Sequence, residues 1–365
     1  MSDYPMHGYI KEQPEALKNL TDIRKAATSR FVEIYEKVNP DRIYLFGSGT
    51  SLNAASLSAP FMQRILGVEV SCLAASQITE TKLFGERPLL IAISQGGTSA
   101  NTIKAIEMYK EHPVIVITSK PDSTMAVRYP DLHVMLECGE EKAGPKTKGY
   151  TCTILTFYLY ALEAGLKTGT LTEDEYNDYI NQVYETCEKL TDNVEKTFAW
   201  FEREKDNMKN TNSCVVFGKD VAQRLSVESA LKILETVRYP AMHYEFEEYL
   251  HGPIMVKDAG LMLLGVVPLD DDKKRALDLI KVIYNETTKC AYAITNIEDP
   301  ELPNALVLDF PDNQYFAVFA QTLASQVIAS ELPAVMGGTG FDDDYFMKID
   351  KVVGTKDRIP KKEEE

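Results

Sequence analysis

The sequence has no long apolar run, no closely spaced cysteines and no surplus of basic residues. No segment approaches the roughly 18 apolar residues that a membrane-spanning helix needs, so no membrane partner is expected. The six cysteines include no Cys-x-x-Cys pair, which indicates reduced core thiols rather than a disulfide framework or a zinc site. Acidic residues outnumber basic ones by 55 to 39. Nucleic acid is therefore not expected as the main partner, because phosphate backbones are bound through basic surface.

Patterns for nucleotides, metals and export are also missing. Leu52 occupies the position where a dinucleotide-binding GxGxxG loop that starts at Gly47 needs Gly or Ala, and no GxxxxGK[ST] loop occurs. His243 and His251 do not have the spacing of metal ligands. The first twenty residues lack the basic and then apolar pattern of an export signal. We therefore expect a cytoplasmic protein that needs no cofactor and no metal.

Short β-branched or apolar runs alternate with helix-length amphipathic stretches along the 365 residues. This alternation is typical of mostly parallel sheets covered by helices, and the length predicts two domains at about 150 residues each. The predicted strands are 43–46, 68–73, 89–93, 114–118, 132–136, 214–217, 261–267, 290–295 and 305–310. The predicted fold class is α/β, with two tandem subdomains, each a mostly parallel sheet flanked by helices in a three-layer αβα arrangement.

The two halves of the chain begin alike, which indicates a duplicated α/β unit. Residues 43–47 and 215–218 each form an apolar run that ends in glycine before a predicted helix. Between the halves, Thr172 and Glu175 have the spacing of a capping box, and a helical pattern follows to about Asn207. The predicted divisions are a first subdomain over 1–195, a second over 196–340 and a tail over 341–365, disordered from 356.

Two loops rich in glycine and hydroxyl groups follow predicted strands, at 47–51 and at 94–102. Glycines let a ligand approach the backbone, and the helix that follows each loop offers N–H groups to an anion. A third loop over 141–150 places lysine and threonine before another apolar helix. These loops predict a phosphate site, although each taken alone is also consistent with a plain surface turn. The candidate anion-binding residues are Gly49, Thr50, Ser51, Ser94, Gln95, Gly96, Ser99, Thr102 and Lys148.

A charged face is predicted on the helix that begins near Ser226. Glu228, Lys232 and Glu235 are spaced i, i+4 and i+7, so they share one face. The alternative interpretation is an ordinary surface helix with charge pairs in solvent. His251 follows nearby, just before a Gly-Pro turn.

Together these motifs resemble the sugar isomerase (SIS) domain family, in particular the isomerase half of glucosamine-6-phosphate synthase and the stand-alone fructosamine-6-phosphate deglycases. The resemblance covers nearly the whole chain. It rests on His7-Gly-Tyr-Ile-Lys-Glu-Gln-Pro-Glu-Ala-Leu-Lys18, Gly49-Thr-Ser51, Ile93-Ser-Gln-Gly-Gly97, Thr147-Lys-Gly-Tyr-Thr151, Glu228-x-Ala-Leu-Lys232-x-x-Glu235 and Leu250-His-Gly-Pro253.

The resemblance implies a role for each site residue. Ser51, Ser94, Gln95 and Ser99 match phosphate-binding positions, with Thr102 nearby. Glu235 matches the base that moves a proton between C1 and C2 of an open-chain sugar, and Glu228 and Lys232 match positions that contact the sugar or hold that base. His251 matches a ring-opening histidine that reaches the site from a neighbouring subunit, which implies a homodimer or a higher homo-oligomer. Lys348, or alternatively Lys351, matches a lysine that forms a Schiff base with a ketose.

The sequence also departs from the synthase pattern. The loop reads Ser-Gln-Gly-Gly-Thr-Ser where the synthase has Ser-Gln-Ser-Gly-Glu-Thr, and no glutaminase domain or N-terminal nucleophilic cysteine is present in the sequence. These departures favour a deglycase that converts a fructosamine 6-phosphate and water into glucose 6-phosphate and a free amine. An ammonia-dependent synthase or deaminase, an aldose–ketose isomerase and a non-catalytic sugar-phosphate-binding regulator remain alternatives.

Overall fold

The computed structural model describes residues 6–359 as two parallel β-sheets with helices around them. Within these residues the strands are β1 (Arg42–Gly47), β2 (Glu69–Ala74), β3 (Pro88–Ile93), β4 (Val114–Thr118), β5 (His133–Met135), β6 (Ser213–Gly218), β7 (Ala241–Glu245), β8 (Leu261–Val266), β9 (Ala291–Thr295) and β10 (Leu306–Val307).

Helices connect and cover the strands. The helices of the first part of the chain are α1 (Met6–Asp22), α2 (Arg24–Val38), α3 (Thr50–Leu66), α4 (Ala75–Ile78), α5 (Ala100–Tyr109), α6 (Thr124–Arg128), α7 (Lys148–Thr168) and α8 (Glu173–Met208). The later ones are α9 (Val221–Thr236), α10 (Phe246–Leu250), α11 (Lys273–Glu286), α12 (Gln314–Gln321), α13 (Leu323–Val335) and α14 (Asp343–Val353), and a short 3-10 helix spans Pro253–Met255. No helix in the described part of the chain is both long and apolar enough to span a membrane.

Both sheets have the same strand order. The first sheet runs β2-β1-β3-β4-β5 and the second runs β10-β9-β8-β6-β7. Read from the first strand of each half, both orders are 2-1-3-4-5, and every pairing is parallel. The structure therefore confirms the α/β fold class and the duplicated unit that the two glycine-ended strands predict.

Alternating side chains explain why both faces of the first sheet are covered. Tyr44 and Phe46 of β1 lie in one buried apolar cluster with residues of α4 to α6. Ile43 and Leu45, which point to the opposite face, are also fully buried. Strands buried on both faces read as continuous apolar runs, which is why the sequence predicts them well.

The chain divides into two compact units. Among the described residues, the β1–β5 unit comprises 16–141, 148–180 and 343–359. The β6–β10 unit comprises 6–15, 142–147 and 181–342. The predicted subdomain boundaries, drawn after 195 and 340, stay a prediction.

Most local features agree with the sequence pattern. All nine predicted strands are present within a few residues of their expected ends. The capping box is confirmed, because Glu175 accepts a hydrogen bond from the Thr172 backbone N–H at 2.9 Å and donates its own N–H to Thr172 Oγ1 at 3.3 Å. Strand β7 was not expected, since it mixes polar and apolar residues and is only partly buried.

The tail differs from its expectation. Lys356 to Ile359 were expected to be disordered, but Lys356 pairs with Ser99 as an antiparallel bridge and Asp357 forms an ion pair with Arg128. Backbone and charge pairing over long sequence distance leaves no periodic pattern, which is why the sequence did not reveal it. The remainder of the predicted disordered end, from residue 360, lies outside the described residues.

Candidate functional site

The two hydroxyl-rich loops lie side by side in the β1–β5 unit. Gly47, the last residue of β1, is in register with Ile93, the last residue of β3, so the residues after each strand emerge at the same edge. This is the point where the strand order reverses, at which open parallel sheets bind ligands. Gly49 before α3 has φ +56°, a conformation that favours glycine. We call the group formed by Ser48, Gly49, Thr50, Ser51 and residues 94–102 the hydroxyl cradle.

Side chains within the hydroxyl cradle bond to one another. Ser99 Oγ donates to Asn101 Oδ1 at 2.7 Å, and Asn101 Nδ2 donates to Ser48 Oγ at 2.9 Å. Thr102 Oγ1 donates to Ser99 Oγ at 3.1 Å. Thr102 is fully buried, so its hydroxyl holds Ser99 from the protein interior. Ser48 and Asn101 lie in the two predicted segments but were not among the candidate residues, because a single serine or asparagine carries no signal of its own.

Ser94 and Ser51 contribute two further hydroxyls to the hydroxyl cradle. Ser51 Oγ accepts a hydrogen bond from the Gln95 backbone N–H at 3.3 Å. The Ser94 hydroxyl has no hydrogen-bond partner among residues 6–359, and the residue is 9% exposed. A nearly buried hydroxyl of this kind is suited to a ligand oxygen. Gly97, with φ +63°, permits the tight turn, since a Cβ there would lie 2.1 Å from Ser123 Oγ.

The Gln95 side chain bonds to Glu141 rather than to other members of the hydroxyl cradle. Its Nε2 donates to Glu141 Oε2 at 3.2 Å, and Glu141 also accepts the Gly149 N–H at 2.9 Å. A Cβ at Gly149 would meet the Gln95 amide at 2.2 Å, so this glycine is needed for the close packing. Lys148 is nearly buried and donates to the Glu140 carbonyl at 2.9 Å. Glu141 therefore holds the amide, a role that the sequence pattern did not show.

The tail reaches the hydroxyl cradle through its backbone, downstream of the predicted lysine. The Ala100 N–H donates to the Thr355 carbonyl at 3.1 Å, and the Asp357 N–H donates to the Thr98 carbonyl at 2.8 Å. These bonds place Lys356 beside Ser99. Lys348, and Lys351 as the alternative, are instead exposed side chains of α14.

In the β6–β10 unit, helix α9 turns its charged face inward. Glu228 and Lys232 are each 1% exposed, whereas Leu234 is 47% exposed. The interpretation of an ordinary surface helix is therefore wrong, because on such a helix the charges face solvent and the leucine is buried. Burial of charges is rare unless they are paired, and here Lys232 Nζ lies 3.2 Å from Glu228 Oε1 and also forms an ion pair with Glu235.

Glu228, Lys232 and Glu235 together form a group that we call the α9 charge cluster. Electrostatic interactions within it determine the charge state of its lysine. Burial opposes the charged form of Lys232, but the carboxylates of Glu228 and Glu235 outweigh it and raise the lysine pKa above its ordinary value. Lys232 is thus an ammonium that holds the less buried carboxylate of Glu235 in position. The Glu235 side chain is 21% exposed, so a ligand can reach it.

His251 lies at the end of α10, in the same unit as the α9 charge cluster. Its backbone N–H donates to the Glu248 carbonyl at 3.2 Å, and the residue is exposed. Among residues 6–359 no group of three or more His, Cys, Asp or Glu side chains is arranged to hold a metal ion.

The predicted site residues are therefore divided between the two compact units. The hydroxyl cradle and Lys148 belong to the β1–β5 unit, together with Lys348, and the α9 charge cluster and His251 belong to the β6–β10 unit.

Comparison with known proteins finds a family match in the first half of the chain. The SIS domain model matches residues 38–163, which include β1 to β5. A glutamine–fructose-6-phosphate aminotransferase (isomerizing) from Fusobacterium nucleatum is 26% identical over 312 residues, covering 82% of this chain and 50% of that protein. The chain spans about half the length of the curated relatives it matches.

Solved structures agree with this match. A protein from Clostridium difficile, assigned as a phosphosugar isomerase, superposes with a TM-score of 0.85 at 26% identity and covers 96% of this chain and 98% of its own. The C-terminal domain of glucosamine-fructose-6-phosphate aminotransferase from Francisella tularensis superposes with a TM-score of 0.81 at 21% identity, covering 92% and 97%. Residues 38–163 of this chain therefore match the SIS domain model.

Proposed function

We propose that the protein is a fructosamine-6-phosphate deglycase, which converts an amino-linked fructose 6-phosphate and water into glucose 6-phosphate and a free amine. The observation that carries the proposal is the α9 charge cluster, whose buried Lys232 holds Glu235 where a ligand can reach it. A carboxylate fixed in this way is suited to moving a proton between adjacent carbons. The similarity to aminotransferases that act on fructose 6-phosphate supports a sugar that carries nitrogen and phosphate.

The proposed reaction needs one proton shuttle and one water molecule. A fructosamine has its amine on C1 and its carbonyl on C2. Glu235 removes a proton from C1, and the electron pair forms the C1–C2 double bond of an enaminol as the C2 oxygen takes up a proton. The same carboxyl returns its proton to C2, which leaves a protonated imine between C1 and nitrogen, and the water that adds to it releases one proton. Water adds to that imine, and breaking the C–N bond gives the aldehyde of glucose 6-phosphate and the free amine.

Phosphate recognition is assigned to the hydroxyl cradle. The free hydroxyl of Ser94 and the hydroxyl of Ser51 supply donors without a large positive field. This matters in a chain with a formal charge of −16, since an anion has to be bound by local donors. We assign Lys148 and Gln95 to shaping this region, because their side chains bond to Glu140 and Glu141.

A coupled assay tests the proposal directly. The purified protein is incubated with a panel of fructosamine 6-phosphates that differ in the amine, and glucose 6-phosphate is followed with an NADP-linked dehydrogenase. We expect release of glucose 6-phosphate and an equal amount of free amine. The matched control is the same fructosamine without the 6-phosphate, which should react far more slowly.

The same panel distinguishes the other candidates. Formation of fructose 6-phosphate and ammonia from glucosamine 6-phosphate would indicate a deaminase, and interconversion of aldose and ketose phosphates without an amine would indicate an isomerase. Tight binding of a sugar phosphate with no turnover of any substrate would indicate a regulator. Each of these results would overturn the deglycase proposal.

We further propose that His251 serves the site of a neighbouring subunit in a homodimer. It is exposed at the end of α10, which makes it available to a partner. Two inactive variants, Glu235→Gln and His251→Ala, can be co-expressed to form mixed dimers. A two-fold dimer then contains one site with both lesions and one with neither, so about a quarter of wild-type activity should return at random mixing. Verified mixed dimers that stay inactive would show that His251 acts within its own chain or not at all.

A further inference from the structure

The β6–β10 unit contains a cavity of about 250 Å³ at the carboxyl ends of β6 and β8. These strands are neighbours where the strand order of this sheet reverses, the place at which open parallel sheets bind ligands. The cavity occupies the same position in its sheet as the hydroxyl cradle does in the other. Its walls come from the loops after β6 and β8 and from both ends of α12. We call it the α12 cavity.

The α12 cavity is lined by acidic groups rather than hydroxyls. Asp220, Asp270 and Asp312 line it together with Lys219. Lys219 Nζ is already held by Asp270 Oδ2 at 2.5 Å and by Asp272 Oδ2 at 2.6 Å. The carboxylates of Asp220 and Asp312 have neither a hydrogen bond nor an ion pair within residues 6–359. The lining therefore carries uncompensated negative charge.

A buried amide in the wall gives an independent sign of a ligand. Gln321 is 3% exposed and lines the α12 cavity. Its side chain has no hydrogen bond to any residue that the structure describes. Buried polar side chains are bonded in the great majority of proteins, so this amide is available to an occupant of the cavity.

We propose that the α12 cavity binds a small organic cation with a primary ammonium group. An ionised carboxylate only accepts hydrogen bonds, and an ammonium offers three donors, which matches Asp220, Asp312 and the amide oxygen of Gln321. A phosphate ester is excluded on the same grounds, because it would meet unpaired carboxylates. A metal ion is not the expected occupant, since among residues 6–359 no cluster of His, Cys, Asp and Glu has the arrangement for one.

The backbone at Asp220 provides a clean test variant. Asp220 has φ +53° and ψ −118°, a conformation that glycine adopts far more readily than aspartate. Asp220→Gly removes the carboxylate and relieves the backbone strain at this position. Gln321→Leu removes the amide at similar volume. Asp192→Asn, on an exposed part of α8 in the same unit, changes the charge by the same amount away from the cavity.

The experiment is isothermal titration calorimetry of the full chain with 1,4-diaminobutane, sorbitol and inorganic phosphate as separate probes. We expect the diamine to bind the wild type and Asp192→Asn equally. Its dissociation constant should increase about tenfold to a hundredfold in Asp220→Gly and in Gln321→Leu, as expected for a lost hydrogen bond to a charged group. Thermal unfolding of each variant serves as the folding control.

Four outcomes would overturn the inference. Binding of sorbitol but not the diamine would make the cavity a polyol site, and phosphate binding that is lost in Asp220→Gly would make it an anion site. Equal diamine affinity in all variants would mean nonspecific attraction to an acidic protein. Absence of binding by any probe would mean that the cavity holds only solvent. None of these outcomes bears on the deglycase proposal, whose assay measures product release from fructosamine 6-phosphates.

Discussion

The two sheets share one strand order, but the loops at the same edge carry different chemistry. The loop between β3 and α5 spans residues 94–99, and the loop between β8 and α11 spans 267–272, so both contain six residues. The first reads Ser-Gln-Gly-Gly-Thr-Ser and the second Val-Pro-Leu-Asp-Asp-Asp. Hydroxyls and glycines suit an anion, whereas carboxylates repel one. The two units therefore share one fold, but the side chains of these two loops differ in chemistry.

The helices that follow β1 and β6 also differ in their buried side chains: at two corresponding positions those of α3 are apolar and those of α9 are charged. Counted from the first residue of each helix, Leu57 and Phe61 of α3 correspond to Glu228 and Lys232 of α9. All four side chains are buried. An apolar pair stabilises a fold by about 1.5–3 kcal/mol per side chain, and a buried ion pair gives no such gain. Stability alone therefore does not explain the buried charges of α9, which supports the proton-transfer role that we propose for Glu235.

The largest expected effect comes from breaking the chemistry of α9. Glu235→Gln keeps the shape of the side chain and removes the proton acceptor, so turnover of the active substrate should fall by about 10²- to 10⁴-fold. Substrate affinity, measured by calorimetry, should change little. The matched control is Arg64→Gln at the corresponding position of α3, where turnover should stay near that of the wild type. Turnover close to normal in Glu235→Gln would assign proton transfer to another group, with Glu228 the first to test.

The second prediction makes α9 resemble α3. Lys232→Met leaves Glu228 buried without its ion-pair partner, and the free energy of unfolding should fall by about 3–5 kcal/mol. The double variant Glu228→Leu with Lys232→Phe installs the apolar pair of α3, so stability should return to near or above that of the wild type while activity stays lost. Chemical denaturation followed by circular dichroism measures both. A double variant that is less stable than the single one would show that the charged pair has a structural role.

The sequence predicted the sheets better than the sites, for a physical reason. Strands buried on both faces, such as β3, β4 and β9, leave continuous apolar runs. Nine of the ten strands among residues 6–359 are predicted from such runs, and the partly buried β7, which mixes polar and apolar residues, is not. The spacing of Glu228, Lys232 and Glu235 places them on one face, but spacing cannot tell whether that face is buried. Only packing around the helix decides this, and packing depends on residues far away in the sequence.

Other parts of the candidate site depend on contacts that leave no local pattern. Glu141 holds the Gln95 amide across 46 residues, and the tail reaches the hydroxyl cradle by backbone bonds that any side chain permits. The hydroxyl-rich loops themselves were predictable, because glycine and serine clusters after a strand are a local signature. The α12 cavity gave no such signature, since its lining comes from three separate segments.

A smaller effect is expected from making the hydroxyl cradle resemble its counterpart. Ser94 corresponds to Val267, the first residue after β8, and Ser94→Val therefore replaces the free hydroxyl with the residue of the other loop. Binding of a hexose 6-phosphate should weaken by about 1–3 kcal/mol, the range for a lost hydrogen bond to a charged group. Calorimetry with glucose 6-phosphate measures this loss. The reverse change, Val267→Ser, is the control and should leave affinity as it is; unchanged affinity in Ser94→Val would remove Ser94 from the phosphate site.

The smallest effect concerns the tail, which bonds to the loop after β3. Asp350 accepts hydrogen bonds from Thr355 Oγ1, from the Lys356 N–H at 3.0 Å and from Arg358 at 2.7 Å. The Thr355 hydroxyl and then the Arg358 guanidinium lower the pKa of Asp350 to about 2, below its ordinary value. Because this pKa is lower in the folded state, the anchoring is complete above about pH 4 and is lost as the pH falls toward 2. Asp350→Asn should therefore increase hydrogen exchange across 354–359 at neutral pH, by a few-fold rather than by orders of magnitude, with exchange in α9 unchanged. Equal protection of this segment in variant and wild type would show that the backbone bonds to Thr98 and Ala100 hold the tail without Asp350.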